Sequence, residues 1–117
     1  MPMWKDCICR RISPLPANNY FVYVIELSPE ALPRSLKSQR EKPRCVYVGQ
    51  SWHTPLCRLA QHRAKYKANS RAHKYSQALL PEFFAALNPL SSKRESIDVE
   101  KKLALELRAK GLHVYSG

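Results

Sequence analysis

The chain has 117 residues, a length that suits one compact domain and leaves little room for a second independent core. Its 20 Lys and Arg residues outnumber 9 Asp and Glu residues, which gives a formal net charge of +11 and indicates a polyanionic partner. The apolar runs are all far shorter than the roughly 20 residues of a transmembrane helix, so we expect no association with a membrane.

The first segment, residues 1–19, has no hydrophobic periodicity and contains Pro14, Pro16 and the turn-forming Asn18. It predicts an N-terminal arm in front of a single domain that spans residues 20–117. The arm has no apolar core long enough for a signal peptide, so we expect a cytoplasmic protein with reduced thiols. No zinc-ribbon spacing joins the four cysteines, and Cys45 and Cys57 are predicted to pack as small hydrophobic side chains.

Two runs rich in β-branched and aromatic residues, 20–27 and Cys45–Gly49, predict the first two strands. Residues 28–44 between them carry three prolines and many polar side chains, which predicts a polar connection or a short helical turn. Two strands joined in this way can pair antiparallel.

Thr54 and Pro55 form an N-cap and first-turn signal, and the helix they begin is predicted to continue toward Tyr66. Arg58 and His62, four residues apart, share one polar face of this helix. Such a face is more often simply solvated, although an Arg beside a His also suits the binding of a phosphate.

Positive charge is concentrated in the middle of the chain, since no acid occurs between Glu41 and Glu82. This pattern favours nucleic acid as the partner over a membrane surface or a charge that serves only solubility. The residues expected to follow a phosphate backbone are Arg63, Lys65, Lys67, Arg71 and Lys74.

The last third of the chain predicts a short apolar strand or helix start at 78–80 that ends before Pro81, with a strand favoured. A capping box at Ser92 and Glu95 predicts a helix that runs to Gly111, and the apolar tail after it can pack on the sheet.

Glu100 falls inside the apolar arc of this last helix, which is formed by Ile97, Val99, Leu103, Ala104 and Leu107. A carboxylate on the core side of a helix is costly to bury unless it is paired, hydrogen-bonded or bound to a metal. The pattern alone leaves two interpretations open, a metal ligand or a Glu paired with Arg or Lys at the edge of the core.

These motifs, taken in order, resemble the signature of the GIY-YIG nuclease family. Tyr23 closes Val-Tyr-Val in the first strand, and Tyr47 begins Tyr-Val-Gly in the second. Arg58 and Glu100 follow on successive helices at the family's spacing, and His62 stands where many members have a His or Tyr. The resemblance covers residues 20 to 117, with Phe and Val in place of the Gly-Ile of the first motif.

The resemblance implies an α/β (α+β) fold in which helices flank a small central antiparallel three-stranded sheet. It also implies an endonuclease that hydrolyses phosphodiester bonds in nucleic acid. DNA is favoured over RNA as the substrate, and the sequence does not decide between them. The implied catalytic residues are Tyr23, Tyr47, Arg58, His62 and Glu100.

Within that resemblance Glu100 would hold one Mg²⁺ or Mn²⁺, and Arg58 would neutralise charge that develops on the phosphate. Tyr23 or Tyr47, oriented by His62, would be the general base. Gln50, where several members have Lys or Ser, is expected to contact the nucleic acid together with the basic residues.

Two other functions stay open from the sequence. Family members often end the site with an Asn after the last strand, whereas this chain has Ser116, which leaves room for a non-catalytic DNA- or RNA-binding module on the same scaffold. The third possibility is an adaptor whose basic surface meets an acidic protein. The sequence does not indicate the oligomeric state.

Overall fold

A computed structural model describes residues 20–64 and 74–116 of the chain. The strands and helices follow one another as β1 (Phe21–Leu27), α1 (Arg34–Lys37), β2 (Cys45–Ser51), α2 (Pro55–Arg63), β3 (Ser76–Leu79), α3 (Lys93–Ala109) and β4 (His113–Ser116). Short 3-10 turns occur at Pro29–Ala31, Pro81–Phe83 and Ala85–Leu87. The fold is therefore α+β, and the predicted N-terminal arm at 1–19 lies outside the described residues.

β1 and β2 form the antiparallel centre of the sheet, as their β-branched and aromatic composition predicts. They pair along their whole length, from Phe21 opposite Ser51 to Leu27 opposite Cys45. Successive side chains of a strand point to opposite faces, yet all four residues from Val22 to Ile25 are at most 1% exposed. Both faces of the central strands are therefore covered.

The sheet has four strands in the order β3-β1-β2-β4, so the prediction of three antiparallel strands was wrong. β3 pairs antiparallel with β1, which confirms the favoured strand before Pro81. The additional strand is the C-terminal tail, which pairs parallel with β2, with Val114 opposite Val46. Because α3 carries the chain back along the sheet, the tail returns in the same direction as β2 and makes the sheet mixed.

The predicted N-caps occur at both main helices, but the Glu95 carboxylate accepts from the backbone N–H of Ser91 and not from that of Ser92, so the capping box is only half formed. Thr54 Oγ1 accepts a hydrogen bond from the backbone N–H of Cys57 at the start of α2, and Ser92 Oγ accepts from that of Glu95 at the start of α3. Gly111 adopts a φ of 94° just beyond α3, where an L side chain is disfavoured. The chain can thereby reverse from α3 into β4.

α2 packs against β3 and β1, whereas α3 packs against β2, β4 and β1. Both helices that carry the candidate site residues therefore contact the central strand β1. Within residues 20–64 and 74–116, no helix combines the length and the hydropathy needed to cross a bilayer.

Gly49 is required by the close approach of Tyr23, its partner on β1. A Cβ built at Gly49 would lie 2.5 Å from Cζ of the Tyr23 ring, well inside van der Waals distance. We expect Gly49→Ala to lower the free energy of unfolding by about 1–3 kcal/mol, the usual cost of overpacking a core. Urea denaturation measures the loss.

Gly111→Ala is the matched control for this substitution. No described atom lies within 4 Å of a Cβ at Gly111, so its cost arises only from the left-handed backbone and is about 1–2 kcal/mol. Near-ultraviolet circular dichroism should change for Gly49→Ala and stay constant for Gly111→Ala. A Gly49→Ala protein with wild-type stability and spectrum would contradict the packing described here.

Candidate active site

Tyr23 and Tyr47 lie on the same face of the sheet. Tyr23 is paired with Gly49, and Tyr47 is two residues before Gly49 on β2, so strand alternation directs both rings to one side. The ring centroids are 6.3 Å apart. Gly49 leaves the space above the sheet in which the Tyr23 ring lies.

His62 of α2 completes a cluster with these two rings, here called the tyrosine–histidine cluster (Tyr23, Tyr47 and His62). Its Nε2 lies 2.9 Å from the Tyr23 hydroxyl oxygen, and its ring is 5.3 Å from that of Tyr47, edge to face. His62 is 0% exposed. The interpretation of a simply solvated polar helix face is therefore wrong for this residue, because the tyrosines cover it.

Arg58, one turn before His62, is half-buried and joins the cluster to a second polar residue. Its guanidinium donates a hydrogen bond to Tyr23 and another from Nη1 to Oε1 of Gln61, over 2.8 Å. Gln61 is 1% exposed, and its Nε2 has no acceptor among the described residues. The predicted Arg58 is thus held beside the tyrosines by a buried amide.

Glu100 enters the site from α3 and is 8% exposed. No described residue makes a hydrogen bond or ion pair with its carboxylate. One turn earlier on the same face, Ser96 donates a 2.9 Å hydrogen bond to Oε1 of Gln50 and fixes α3 against β2. The burial predicted from the apolar arc is confirmed, whereas the edge-of-core ion pair is not found in the described part of the chain.

The ionisable groups of β1, β2, α2 and α3 affect one another's pKa values. Burial raises the pKa of Glu100, with Lys101 opposing. Burial is the largest cause of the raised pKa of Tyr23. The Tyr47 hydroxyl and Glu100 raise this pKa further, while Arg58 lowers it. Burial and Glu100 raise the pKa of Tyr47 in the same way. Glu100 therefore lies within electrostatic range of both hydroxyls, and both tyrosines are protonated at neutral pH.

Comparison with family models, curated proteins and solved structures finds no match for this chain. The interpretation of the site consequently depends on its own geometry. Residues 20–64 and 74–116 contain no group of three or more His, Cys, Asp or Glu side chains able to hold a metal ion. A metal here would have Glu100 as its protein carboxylate.

The residues expected to contact nucleic acid occupy different environments. Gln50 is half-buried and bonded to Ser96, and the exposed Arg63 donates from Nη2 to the carbonyl of Gln77 in β3. Lys74 is exposed next to β3. Lys65, Lys67 and Arg71 lie outside the described residues.

The pKa of His62 is lowered from 6.5 to about 4 by burial and by the nearby Arg58. An unfolded His binds a proton near its ordinary pKa, whereas the native His62 resists protonation until about pH 4. Unfolding therefore takes up a proton in this window. We expect stability to fall as the pH drops from 6.5 toward 4, by about 2 kcal/mol after allowance for solvent screening.

His62→Gln isolates this contribution from that of Glu100. The raised pKa of Glu100 acts in the opposite direction, because the native carboxylate takes up its proton first as the pH falls. The difference between wild type and His62→Gln in urea denaturation should therefore show the His62 dependence alone. His113→Gln in β4 is the control and should keep it. Identical pH dependence in wild type and His62→Gln would rule out the lowered pKa.

Proposed function

We propose that this chain is a metal-dependent endonuclease of the GIY-YIG type that hydrolyses phosphodiester bonds in nucleic acid, DNA in preference to RNA. One observation carries the proposal. Residues distant in the sequence converge, with Arg58 and His62 bonded to Tyr23 and a buried Glu100 coupled electrostatically to both tyrosines. Positively charged, proton-transferring and carboxylate groups in one site suit phosphodiester hydrolysis.

The Glu100 carboxylate, which has no hydrogen-bond or ion-pair partner in residues 20–64 and 74–116, fits a single Mg²⁺ or Mn²⁺. Its burial raises the cost of its charge, and no described cation offsets that cost by hydrogen bond or ion pair. Mg²⁺ is usually held by one or two carboxylates, with waters and substrate phosphates as the remaining ligands. When bound, such an ion would supply Lewis-acid stabilisation of the charge on the phosphate.

The tyrosine–histidine cluster supports proton removal from the attacking water. The lowered pKa of His62 keeps its imidazole neutral at neutral pH, so Nε2 can accept the proton of the Tyr23 hydroxyl 2.9 Å away. Tyr23 accepts a proton from water as it passes its own to His62. This relay avoids a free tyrosinate, which the raised pKa of Tyr23 disfavours. The low pKa of His62 then favours passage of the proton back through Tyr23 to the leaving oxygen of the cleaved strand.

Arg58 contributes the positive charge of the site. Its hydrogen bonds to Tyr23 and Gln61 hold the guanidinium in place before substrate arrives, so little reorganisation is needed to meet a phosphate oxygen. The excess of basic residues along the chain supports binding to the phosphate backbone, and affinity should fall steeply with salt.

The test is cleavage of labelled linear, branched and single-stranded DNA and RNA with Mg²⁺, with Mn²⁺ and with EDTA. The wild-type protein should cut at least one substrate, and cutting should be lost in EDTA and in Glu100→Ala. Cleavage that persists in both would refute the proposal.

A non-catalytic nucleic-acid-binding module is the second candidate. It is favoured by Ser116, which is exposed in β4 where family members often have an Asn. In the same assays this module would bind nucleic acid in a salt-dependent way without metal-dependent cutting of any substrate.

A further inference from the structure

A recess with a volume of about 360 Å³ opens beside the tyrosine–histidine cluster. We call it the Trp52 recess, and its walls include Gln50, Trp52, His53, Arg58, Gln61 and Lys93. Small-molecule sites usually measure roughly 300–1,000 Å³, so this volume suits a ligand of modest size. Arg58 and Gln61 form the boundary between the recess and the proposed site of cleavage.

The polar walls of the recess favour an anion. Among the residues that the structure describes, Arg58 and Lys93 are the charged residues of its walls, and no acid lines it. The buried Gln61 adds a donor, since its Oε1 accepts from Arg58 and the opposite end of the carboxamide has no acceptor in the described part of the chain. A buried donor without a partner is unfavourable, so a ligand oxygen at this position would be stabilising.

Trp52 gives the recess an aromatic surface. Its indole lies against the His53 ring, with the ring centroids 3.7 Å apart and the planes tilted by 32°, and 47% of the residue is exposed. His53 is itself held by a hydrogen bond from its backbone N–H to Ser51 Oγ. A large aromatic side chain thus has His53 on one side and about half of its surface open to solvent.

We propose that the Trp52 recess binds one unpaired nucleotide of a nucleic acid strand, with the base stacked on Trp52 and the adjoining phosphate on Arg58 and Lys93. Gln61 Nε2 donates to an oxygen of the same nucleotide. This inference rests on the proposed function, because the recess would select which nucleic acid strands present a phosphate to Arg58. A base in a duplex is stacked on its neighbours, so only an unpaired or extruded base can occupy the recess.

The test measures binding of labelled oligonucleotides in EDTA, where binding is separated from cutting. Trp52→Ala should weaken binding of a single strand about 5- to 100-fold, the range expected for one stacked base. Trp52→Phe should restore most of the affinity. Leu56→Ala is the control, because Leu56 is 71% exposed and close in the chain but does not line the recess. The affinity of this variant for the single strand should equal that of the wild type.

Comparison of different nucleic acid ligands shows which feature of the strand the recess recognises. A blunt duplex and a strand with an abasic position should be much less sensitive to Trp52→Ala than an intact single strand is. A mononucleotide 5′-phosphate should compete only weakly. Equal loss of affinity for all strands, or no loss, would overturn the inference, and a mononucleotide that binds as tightly as the strand would show a free-nucleotide site instead.

The cleavage assay keeps this inference separate from the proposed function. Metal-dependent cutting with no effect of Trp52→Ala on binding would refute the nucleotide site and leave the nuclease standing. Selective loss of single-strand binding without any cutting would establish the nucleotide site on a non-catalytic module.

Discussion

Glu100→Gln is expected to reduce metal-dependent cleavage by about 10³-fold or more and to stabilise the protein at neutral pH. Gln keeps the shape of the side chain but removes the charge that a metal ion needs. The raised pKa of Glu100 means that its ionised form is disfavoured in the native state. The stabilisation should be about 0.5–2 kcal/mol, as is common when a functional site gives up strain.

The stabilisation by Glu100→Gln should depend on pH, because the pKa of Glu100 is higher in the native than in the unfolded protein. The native carboxylate holds its proton to a higher pH than the unfolded one, so the wild-type protein loses stability as the pH rises from 4.5 through the native pKa. The gain from Glu100→Gln should therefore be full at neutral pH and vanish in acid. Urea denaturation at several pH values and single-turnover cleavage give the two readouts.

Glu106→Gln is the matched control on the same helix. Glu106 is exposed, so its replacement should leave cleavage and stability within error of wild type. A Glu100→Gln protein that is less stable at neutral pH would indicate that the carboxylate is a structural partner, and one that still cuts would remove it from the mechanism.

Replacing both Tyr23 and Tyr47 with Phe is expected to lower the cleavage rate about 10²- to 10⁴-fold, the usual contribution of general acid–base catalysis. Phe keeps the ring contacts, so the change removes the two hydroxyls and little volume. Tyr23→Phe alone should account for most of the loss, because its hydroxyl contacts both His62 and Arg58. Single-turnover rates at saturating enzyme separate this loss from any change in binding.

Tyr115→Phe controls for the loss of a half-buried tyrosine hydrogen bond. Tyr115 pairs with Tyr47 across β4 and β2, but its hydroxyl donates to the carbonyl of Ala31 over 2.7 Å and takes no part in the proposed relay. The variant should lose about 1 kcal/mol of stability and cleave at the wild-type rate. An unchanged rate in the double variant would exclude both tyrosines as the general base.

The sequence predicted the central strands and the two capped helices because their signals are local. A β-branched run, a Thr-Pro pair and a Ser before Glu act within a few residues. The position of β4 could not be predicted, because the short tail that forms it carries no local signal. Nothing in its sequence indicates which strand it pairs with or whether the pairing is parallel or antiparallel. That choice depends on packing between distant parts of the chain.

The candidate site shows the same difference between local signals, which the sequence reveals, and contacts between distant residues, which it does not. The burial of Glu100 follows from the periodicity of its own helix, which a sequence displays. The burial of His62 and Gln61 does not, because both lie on a polar face that is covered only when α2 meets the tyrosines. Trp52 and Lys93 lacked any motif, and only the recess shows that they lie near Arg58.

Assembly of the sheet and of the site requires contacts between residues that are far apart in the sequence. Tyr23 meets His62 across 39 positions, and Asn88 clamps Val22 with two side-chain hydrogen bonds across 66. Proteins dominated by such non-local contacts fold more slowly than helical bundles. The basic charge, in contrast, belongs to the composition and is present before folding. A nascent or partly unfolded chain should consequently adhere to nucleic acid before it has a site, so refolding and electrostatic capture compete in time.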